Sequence, residues 1–555
     1  MTTSFYPPHL RALFTDRERE LALLEQATTS LADGRPRHLA LFGLRRIGKT
    51  LLLLEHVARL IEKGPHSPVR PAYIDMEELV TSPELFSRRY IGLVAFWALT
   101  AGQGERESFL TTSGLLSGPA GGLRCVAQTL GALDRAHDDP ALQISTALDF
   151  PEKLAEELDC RILLLLDEFT ELAVLGNYPA VRRPMPLFRS AMQRQGRLGY
   201  IVAASAVSAM QHLVQGGQSP LFLQFEALEV ARFPLDASLA LVERVLGATP
   251  PPGVGRRLHE LTGGHPFYIY AAALRLTGLV ATAETMTGQD AEQAFILEVL
   301  SRNGQIYNYC RYLYDISLSR ARGYGILKAI LQALAGEEGL TLSEVARRVR
   351  KGAPSTRSYL RALQEVDLVI EESGEYFYCD PVLRYWVAAM TRSIEVDPMA
   401  SRAALAPLLA DLEAKQARLS AELGRARESQ LRELLRVFAG QEVDGAWFGA
   451  SGRIQLPTFS KVGPYRSADG QVEADALAET EDGQRWVVEV KWQNKAVGEK
   501  ELANLARKAD RLQARPWCVS RSGFTAAARE VATVQDILIS SRSDLEKLEK
   551  TLKPR

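Results

Sequence analysis

The 555-residue sequence is poor in several features that would assign a protein to a class at once. It has only five cysteines, widely scattered and without a CxxC pair, which argues against a zinc site, a redox pair or a disulfide framework. Its apolar runs fall far short of the roughly 18–20 residues that cross a bilayer. The first residues lack the basic, apolar and cleavage regions of a secretory signal. We therefore expect a cytoplasmic protein with reduced thiols and no membrane contact.

Neither sign of charge dominates, because 66 Lys and Arg balance 67 Asp and Glu. This balance excludes a chain that is basic throughout, but it leaves local patches open. Hydrophobic residues make up 46% and charged residues 24%, which excludes a wholly disordered or collagen-like chain. At roughly 100–200 residues per folding unit, the length predicts three or four domains.

Short apolar runs separated by helical patterns fill the first third of the chain. They predict strands over His38–Phe42, Pro71–Met76, Ile162–Leu166 and Leu198–Ala204. Apolar strands with helices between them are typical of a parallel sheet that is buried on both faces. From about Leu235 the pattern becomes helical throughout, so the expected fold class is α/β and multidomain.

The segment GLRRIGKT, from Gly43 to Thr50, matches GxxxxGK[ST] between a predicted strand and an apolar helical run. Phosphate binding requires this order, because the N–H groups of the loop and the start of the helix then face the phosphates. We expect Lys49 to neutralise the β and γ phosphates and the Thr50 hydroxyl to reach Mg²⁺. A chance glycine loop before a helix is the alternative.

The run ILLLLDE, from Ile162 to Glu168, supplies the expected second half of such a site. A buried strand carries Asp167 to its carboxyl end, where the carboxylate can hold the magnesium shell, and Glu168 can polarise an attacking water. An acidic pair also occurs at ordinary strand exits. Together with the phosphate-binding loop, however, it favours ATP hydrolysis.

These motifs resemble the ASCE class of P-loop ATPases, in particular the prokaryotic archaeal-type ATPases related to the AAA+ and STAND groups. The resemblance includes the segment from Phe14 to Leu21 and GGHPF at Gly263–Phe267, which is similar to the GxP segment of the STAND lid. It implies ATP or ADP with Mg²⁺, and a polar sensor at Ser205. By this resemblance the nucleotide-binding residues would be Phe14, Gly43, Arg46, Gly48, Lys49, Thr50, Leu51, Asp167, Ser205, His265 and Pro266, with Thr50 and Asp167 at the metal and Glu168 catalytic.

Two parts of this assignment stay open at the level of sequence. His265 and Pro266 also fit an ordinary helix boundary, since proline often marks one. An arginine directed at the γ phosphate is plausible, with Arg182, Arg183 and Arg232 as candidates, and the sequence does not select among them.

A separate pattern begins near Tyr324, where three short predicted helices precede a predicted hairpin. This order is typical of a winged helix. Its second and third helices hold six cations against the single acid Glu344, a balance suited to DNA phosphates. The alternative is a packing module with a solvated basic face. The candidate nucleic-acid-binding residues are Arg347, Arg348, Arg350, Lys351, Arg357 and Arg361.

A second candidate site lies near the end of the sequence, where two predicted strands flank EDGQ. Residues two apart on a strand share a face, so Glu489 and Lys491 project together, and a hairpin brings Asp475 close to Glu489. Two carboxylates that hold Mg²⁺ beside a lysine suit hydrolysis of a phosphodiester. The alternative is an ordinary strand of alternating polarity whose Glu and Lys form an exposed salt bridge.

This arrangement resembles the PD-(D/E)xK nuclease superfamily, with Asp475, Glu489 and Lys491 standing as D…ExK. Upstream, GRARE at Gly424–Glu428 is similar to the GxxFE start of the nuclease-like domain fused to such ATPases, although Arg427 replaces the aromatic residue. The resemblance implies that Asp475 and Glu489 bind metal. It makes Glu428, Asp475, Glu489 and Lys491 the catalytic residues.

The sequence thus predicts five parts, which are a parallel-sheet P-loop ATPase core at 1–234, a helical lid at 235–320, a winged helix at 321–395, a spacer helix at 396–423 and a PD-(D/E)xK nuclease-like domain at 424–555. Our hypothesis is an ATP-hydrolysing, Mg²⁺-dependent DNA endonuclease controlled by nucleotide state, which suits bacterial defence. The alternatives are a STAND-like switch that binds DNA or protein and carries a non-cleaving nuclease-like scaffold, and a motor or loader for a partner enzyme. DNA is the expected partner, and homo-oligomers and protein partners stay open.

Overall fold

A computed structural model describes residues 5–64, 67–280, 282–319, 323–337, 339–372, 374–410, 428, 430–467, 472–492, 497–520 and 523–552. The chain forms two compact units, Met1–Ala400 and Ser401–Arg555. Of the predicted spacer helix, residues 402–410 are helical and residues 411–423 lie outside the described part. The five-part division of the chain stays a prediction.

A five-stranded parallel sheet forms the centre of the first unit, with the strand order β2-β3-β4-β1-β5. Of the inner strands, β1 and β4 are buried along their whole length and β3 is buried except at Arg161, as their continuous apolar sequences require. In this order β4 lies between β1, which leads into the phosphate-binding loop, and β3, which ends at the acidic pair. The strands are β1 (Leu39–Phe42), β2 (Val69–Asp75), β3 (Arg161–Asp167), β4 (Leu198–Ala204) and β5 (Glu226–Glu229).

Helices cover this sheet and share one apolar core with it. Many of them begin with a side-chain cap; the Ser82 hydroxyl, for example, accepts from the Leu85 N–H at 3.3 Å. The helices of this part are Pro8–Arg11, Glu18–Ala32, Lys49–Glu62, Met76–Leu79, Pro83–Thr100, Thr112–Ser117, Arg124–Arg135, Pro140–Glu157, Pro184–Met192 and Val207–Gln215, with 3-10 helices at Arg106–Leu110 and Phe169–Asn177.

The next part of the first unit is helical, as the sequence predicted, and has an apolar core of its own. Thr287 begins one of its helices with a capping box, in which its hydroxyl and the Asp290 carboxylate satisfy each other's backbone N–H groups. The elements are Leu235–Leu246, Pro252–Thr262, Pro266–Leu279, Gly288–Leu300 and Gln305–Ser319, with a 3-10 helix at Ala283–Thr285.

Residues 324–378 form three helices and a three-stranded antiparallel sheet, which we call the 324–378 module. Strand β8 lies in the middle of this sheet, between β6 and β7. A capping box at Thr341 and Glu344 starts the second helix. The elements are Tyr324–Gly336, β6 (Leu340–Thr341), Leu342–Arg348, Ala353–Glu365, β7 (Val369–Glu372) and β8 (Glu375–Tyr378), followed by the helix Pro381–Thr391.

The second unit contains a mixed five-stranded sheet in the order β11-β12-β13-β14-β15. Strands β11 to β13 pair antiparallel, whereas β13, β14 and β15 are parallel. Its elements are β9 (Glu442–Asp444), the 3-10 helix Gly445–Phe448, β10 (Arg453–Gln455), β11 (Phe459–Arg466), β12 (Glu473–Thr480), β13 (Arg485–Lys491), Glu499–Leu512, β14 (Arg515–Ser520), Ala526–Val534, β15 (Leu538–Ser541) and Arg542–Leu552, with residues 430–436 also helical.

Helices pack on both faces of this mixed sheet. The helix at 430–436 and the helix Arg542–Leu552 share one apolar cluster with it, which includes Trp517. The helices Glu499–Leu512 and Ala526–Val534 form a second cluster on the other face. The result is a three-layer α/β/α arrangement.

All five cysteines lie in the described part of the chain, and none of them is in a disulfide. Four are buried and Cys379 is half-buried. Among the helices that the structure describes, none combines the length and apolar composition needed to span a bilayer.

Trp517 is the aromatic centre of the second unit, since it is fully buried and its ring lies 5.1 Å from that of Phe448 and 6.1 Å from that of Trp486. We expect Trp517→Ala to destabilise this unit by about 3–5 kcal/mol, because it leaves a large cavity. Hydrogen exchange of β13 and β14 across a urea series measures the effect. In the control Val534→Ala, at a side chain that is 84% exposed, the unfolding midpoint should hardly move; equal shifts would contradict the prediction.

Candidate nucleotide and nuclease sites

The phosphate-binding loop joins β1 to the helix Lys49–Glu62. Gly48 is the residue before this helix and has φ of +102°, a left-handed conformation that glycine adopts without strain. The Lys49 ammonium donates to the carbonyl oxygens of Gly43 at 2.8 Å and Leu44 at 3.0 Å, so the loop wraps around its own lysine. Burial lowers the pKa of Lys49 to about 8, although the Glu168 and Asp167 carboxylates act in the opposite direction.

Thr50 and Asp167, the two predicted ligands of Mg²⁺, are in direct contact. The Thr50 hydroxyl donates to Asp167 Oδ2 at 2.6 Å, and the Tyr73 hydroxyl donates to the same oxygen at 3.1 Å. Asp167 is 2% exposed, and burial raises the pKa of its carboxyl group. A hydroxyl and a carboxylate are the hard oxygen ligands that Mg²⁺ prefers, so this pair fits the predicted ion. Sequence reasoning missed Tyr73, which lies on the neighbouring strand β2.

Glu168 and Ser205 also meet, because the strand order places the end of β4 beside the end of β3. The Ser205 N–H donates to Glu168 Oε2 at 3.0 Å, and the Ser205 hydroxyl bonds the other oxygen of the same carboxylate. Glu168 has a left-handed backbone with φ of +47°, an uncommon conformation for a residue with a side chain. The carboxylate predicted to polarise water is therefore held at the predicted sensor residue.

The lid segment reaches the loop through His265 and Arg46. His265 Nε2 lies 3.2 Å from the Arg45 carbonyl oxygen, and the Arg46 guanidinium lies 4.4 Å from the ring centroid of Phe267. Burial lowers the pKa of His265 well below its usual value, so the ring is neutral. In a neutral ring Nε2 can donate to that carbonyl oxygen, which ties the lid to the loop.

The other predicted nucleotide contacts have more ordinary surroundings. Pro266 occupies the first turn of the helix Pro266–Leu279, as the helix-boundary alternative expected. Phe14 packs against the core of the first unit, and Leu51 against the cluster around Tyr6. Of the three arginine candidates, Arg232 donates to the Cys379 carbonyl oxygen at 3.2 Å.

Sequence reasoning also missed Asp367, which links the 324–378 module to the sensor. Its Oδ2 accepts from the Val207 N–H at 2.6 Å, and its Oδ1 accepts from the N–H and the hydroxyl of Ser208 at 3.0 and 2.7 Å. It thereby caps the helix Val207–Gln215 from outside, although an N-cap usually comes from the same chain segment. Only one residue separates Ser205 from the capped amide of Val207.

The six cations predicted to bind nucleic acid are all exposed on the second and third helices of the module and the turn between them. Arg348 forms an ion pair with Glu337. Among the described residues, this is the single ion pair recorded for the six. The basic face is thus largely available to an external anion.

The second unit brings together three of the predicted nuclease residues, Asp475, Glu489 and Lys491. The antiparallel register of β12 and β13 sets Ala476 opposite Val488, so Asp475 and Glu489 are the next opposed pair. Asp475 Oδ2 accepts from the Val490 N–H at 2.6 Å. Burial and the charge of Glu489 raise the pKa of Asp475 to about 6. Two carboxylates held this close repel each other, which is the condition that a bound cation would relieve.

Two lysines form ion pairs with Glu489. Lys491 Nζ lies 2.7 Å from Glu489 Oε2, and Lys508, from the helix Glu499–Leu512, forms an ion pair with Oε1. Burial lowers the pKa of Lys491, but the Glu489 and Asp475 carboxylates more than offset it, so the net shift is upward. Lys508 was not among the residues that the sequence pointed to.

Glu428 is helical and half-buried, while Gly424–Arg427 lie outside the described residues. Arg432, one helical turn further on, donates to the Asp475 carbonyl oxygen at 2.7 Å, which places this side of the helix at β12. Within the described ranges, no three His, Cys, Asp or Glu side chains form a metal-binding group. The oxygen donors of Asp475 and Glu489 nevertheless suit a hard cation such as Mg²⁺.

Residues 459–548 match the restriction endonuclease family Mrr_cat. The match includes Asp475, Glu489, Lys491 and Lys508. A comparison with curated proteins found no match.

Several solved structures are similar to the chain. The Walker-type ATPase of Pyrococcus abyssi is 18% identical, covers 69% of this chain and 99% of its own, and has a TM-score of 0.48. The Aeropyrum pernix ORC2 protein, in ADPNP-ADP complexes, is 16% identical over 70% of this chain and 96% of its own, with a TM-score of 0.42. The Thermotoga maritima RuvB Holliday junction branch migration motor is 12% identical, with coverage of 69% and 97% and a TM-score of 0.34.

The strand order and the positions of Lys49, Thr50 and Asp167 are those of a P-loop ATPase core. The chain combines this core with a restriction-endonuclease-like domain of mixed-sheet architecture. The predicted fold class and family resemblance are therefore confirmed.

Asp367→Ala should loosen the start of the helix Val207–Gln215, because three donors lose their acceptor. We expect a local cost of about 1–3 kcal/mol, or about 5- to 150-fold faster amide exchange at Val207 and Ser208. Hydrogen exchange with mass spectrometry on residues 205–215 measures this. Glu365→Ala, at an exposed carboxylate two residues away, is the matched control. Unchanged exchange in Asp367→Ala would show that the cap is not formed in solution.

Proposed function

We propose that the protein is an ATP-hydrolysing, Mg²⁺-dependent DNA endonuclease in which nucleotide state controls DNA engagement and cleavage. The observation that carries this proposal is the presence of two separate sites for phosphate chemistry in one chain. One is the Lys49–Thr50–Asp167 group of the ATPase core, and the other is Asp475, Glu489 and Lys491 in the restriction-endonuclease-like domain. Such a combination suits defence against foreign DNA.

At the nucleotide site, the Lys49 ammonium exchanges the loop carbonyl oxygens for phosphate oxygens. Thr50 and Asp167 would hold Mg²⁺, which would supply positive charge to neutralise the phosphates. Glu168 accepts a proton from the attacking water once its carboxylate is released from Ser205. Hydrolysis therefore requires a change in the contact between Glu168 and Ser205.

At the nuclease site, Asp475 and Glu489 would hold Mg²⁺, which would supply Lewis-acid activation of the scissile phosphate. The Lys491 ammonium orients water or stabilises the charge that develops on the phosphate oxygens. Glu428 is proposed as the helix carboxylate that completes the site, because Arg432 brings this helix against β12.

The 324–378 module is proposed as a winged helix that binds DNA. Its exposed cations suit phosphate contacts, with Arg357 and Arg361 on the helix Ala353–Glu365, which would enter the major groove. Asp367 lies two residues beyond the end of this helix and caps the helix that begins shortly after Ser205. A change at the Glu168–Ser205 contact would thus reach the DNA-binding helix through one short covalent and hydrogen-bonded path.

One observation favours a second candidate function, a STAND-like switch with a non-cleaving scaffold. Both oxygens of Glu489 and one oxygen of Asp475 are already engaged by groups of the chain itself. A purely structural polar cluster would look the same. In that function, ATP and ADP would alter DNA or protein affinity without strand cleavage.

Cleavage assays distinguish these functions. With plasmid DNA, ATP and Mg²⁺, we expect Asp475→Ala and Lys491→Ala to lower the cleavage rate at least about 100-fold. Glu481→Ala removes an exposed carboxylate from the β12–β13 turn and should cleave normally. Lys49→Ala should abolish the difference between ATP and ADP. Equal rates for wild type and both site variants would rule out the nuclease, and an RNA substrate tests the choice of nucleic acid.

The DNA contact is tested by salt dependence. Arg357→Ala and Arg361→Ala should each weaken binding at low salt and reduce the slope of log K against log salt by about 0.9, the effect of one lost phosphate contact. Fluorescence anisotropy with a labelled duplex measures both. The control Arg392→Ala removes an exposed arginine outside the module. The same slope in all four proteins would mean that DNA does not contact this helix.

A further inference from the structure

Lys508 contacts the nuclease site, although it belongs to none of the motifs found in the sequence. It comes from the helix Glu499–Leu512, whereas the carboxylates come from β12 and β13. Its ammonium pairs with Glu489 and also donates to the Glu473 carbonyl oxygen at 2.6 Å. Lys508 therefore joins the helix to both catalytic strands.

The position of Lys508 is fixed by the packing of its helix. Leu502, Leu505 and Ala509 are buried in the cluster that this helix forms with the sheet. The Lys508 side chain is 20% exposed, against 34% for Lys491 and 8% for Glu489. Of the two lysines on Glu489, Lys508 is the more deeply buried, so its charge is less screened by water.

The structure brings four charged side chains close together at the site, and when all four are ionised their charges balance. Asp475 and Glu489 contribute two negative charges, and Lys491 and Lys508 contribute two positive charges. A divalent cation would bring this half-buried group to a net charge of +2. Unbalanced charge in a poorly hydrated site is strongly unfavourable, because the interaction energy grows as the local dielectric falls.

The phosphates of DNA carry the negative charge that would offset the bound cation. Each phosphodiester has one negative charge, so the scissile phosphate and a neighbouring one would offset a divalent cation at the site. Without Lys508 the site would carry a net charge of −1 and would attract a cation by itself. A positive charge at Lys508 would thus favour metal binding together with DNA over metal binding before DNA.

We propose that Lys508 is a positioning residue that balances Glu489 in the metal-free site and thereby makes divalent-metal binding depend on bound DNA. This inference rests on the proposed nuclease function, which gives the metal its role. Its test, however, measures metal binding and does not require cleavage. Its consequence is a site that is not loaded with metal until a substrate strand is present. The competing interpretation is that Lys508 only braces the helix against β13.

The test measures Mn²⁺ binding to the full chain without nucleotide, by titration calorimetry, in the absence and presence of a nuclease-resistant phosphorothioate duplex. Asp475→Asn serves as the blank that removes the nuclease site. We expect wild type to bind Mn²⁺ about tenfold or more tightly with DNA than without it. Lys508→Gln should bind Mn²⁺ about tenfold more tightly than wild type without DNA, and should gain little from DNA.

Two further variants separate charge from bracing. Lys508→Arg keeps the charge and should behave as wild type, whereas Lys500→Gln removes an exposed lysine from the same helix and should change nothing. If Lys508→Gln does not fold, as circular dichroism would show, Lys508→Met, which keeps the apolar stem, replaces it. Equal Mn²⁺ affinities of wild type and the uncharged variant without DNA would overturn the proposal.

The proposal and the proposed function fail in different ways. If the protein does not cleave DNA but its Mn²⁺ affinity depends on Lys508, the charge-balance proposal stands and the proposed nuclease function fails. If the protein cleaves DNA but its Mn²⁺ affinity does not depend on Lys508, the nuclease function stands and Lys508 only braces the helix.

Discussion

Neighbouring groups compensate the buried charges at both candidate sites, and the arrangement of each site follows from that constraint. Lys49 is buried inside its own loop because two carbonyl oxygens accept from it. Asp167 is buried because two hydroxyls and a backbone N–H donate to it. In the proposed function, phosphate oxygens would replace the carbonyl partners of Lys49, so nucleotide binding would exchange one set of partners for another.

The same exchange suggests how the ATPase core and the 324–378 module are connected. The strand order sets β4 between β1 and β3, so Ser205 reaches Glu168 while the next residues begin a helix. Because Asp367 caps that helix from the module, a rearrangement at Ser205 would alter the groups that contact the module. The connection depends on topology, since residues 205 and 367 are distant in sequence.

Much of this architecture could be predicted from the sequence, because glycine loops, apolar strands and acidic strand ends have local signatures. Lys49, Thr50, Asp167 and the Asp475–Glu489 pair belong to such patterns. Tyr73, Asp367 and Lys508 do not, since each acts on a residue far away in the chain and has no distinctive neighbours. A lysine on an amphipathic helix looks like any solvated lysine until the fold brings it to Glu489.

The sequence patterns also failed to predict strand β5, and the cause of this failure has a consequence for the whole molecule. Its sequence, EALE, has one buried residue, Leu228, and exposed glutamates at both ends, of which Glu226 pairs with Arg37. It is the last strand of its sheet, where unpaired backbone groups could accept a strand from another molecule. Because of its glutamates, β5 shows no hydrophobic pattern in the sequence. The same charges disfavour edge-to-edge pairing between the β5 strands of different copies of the chain.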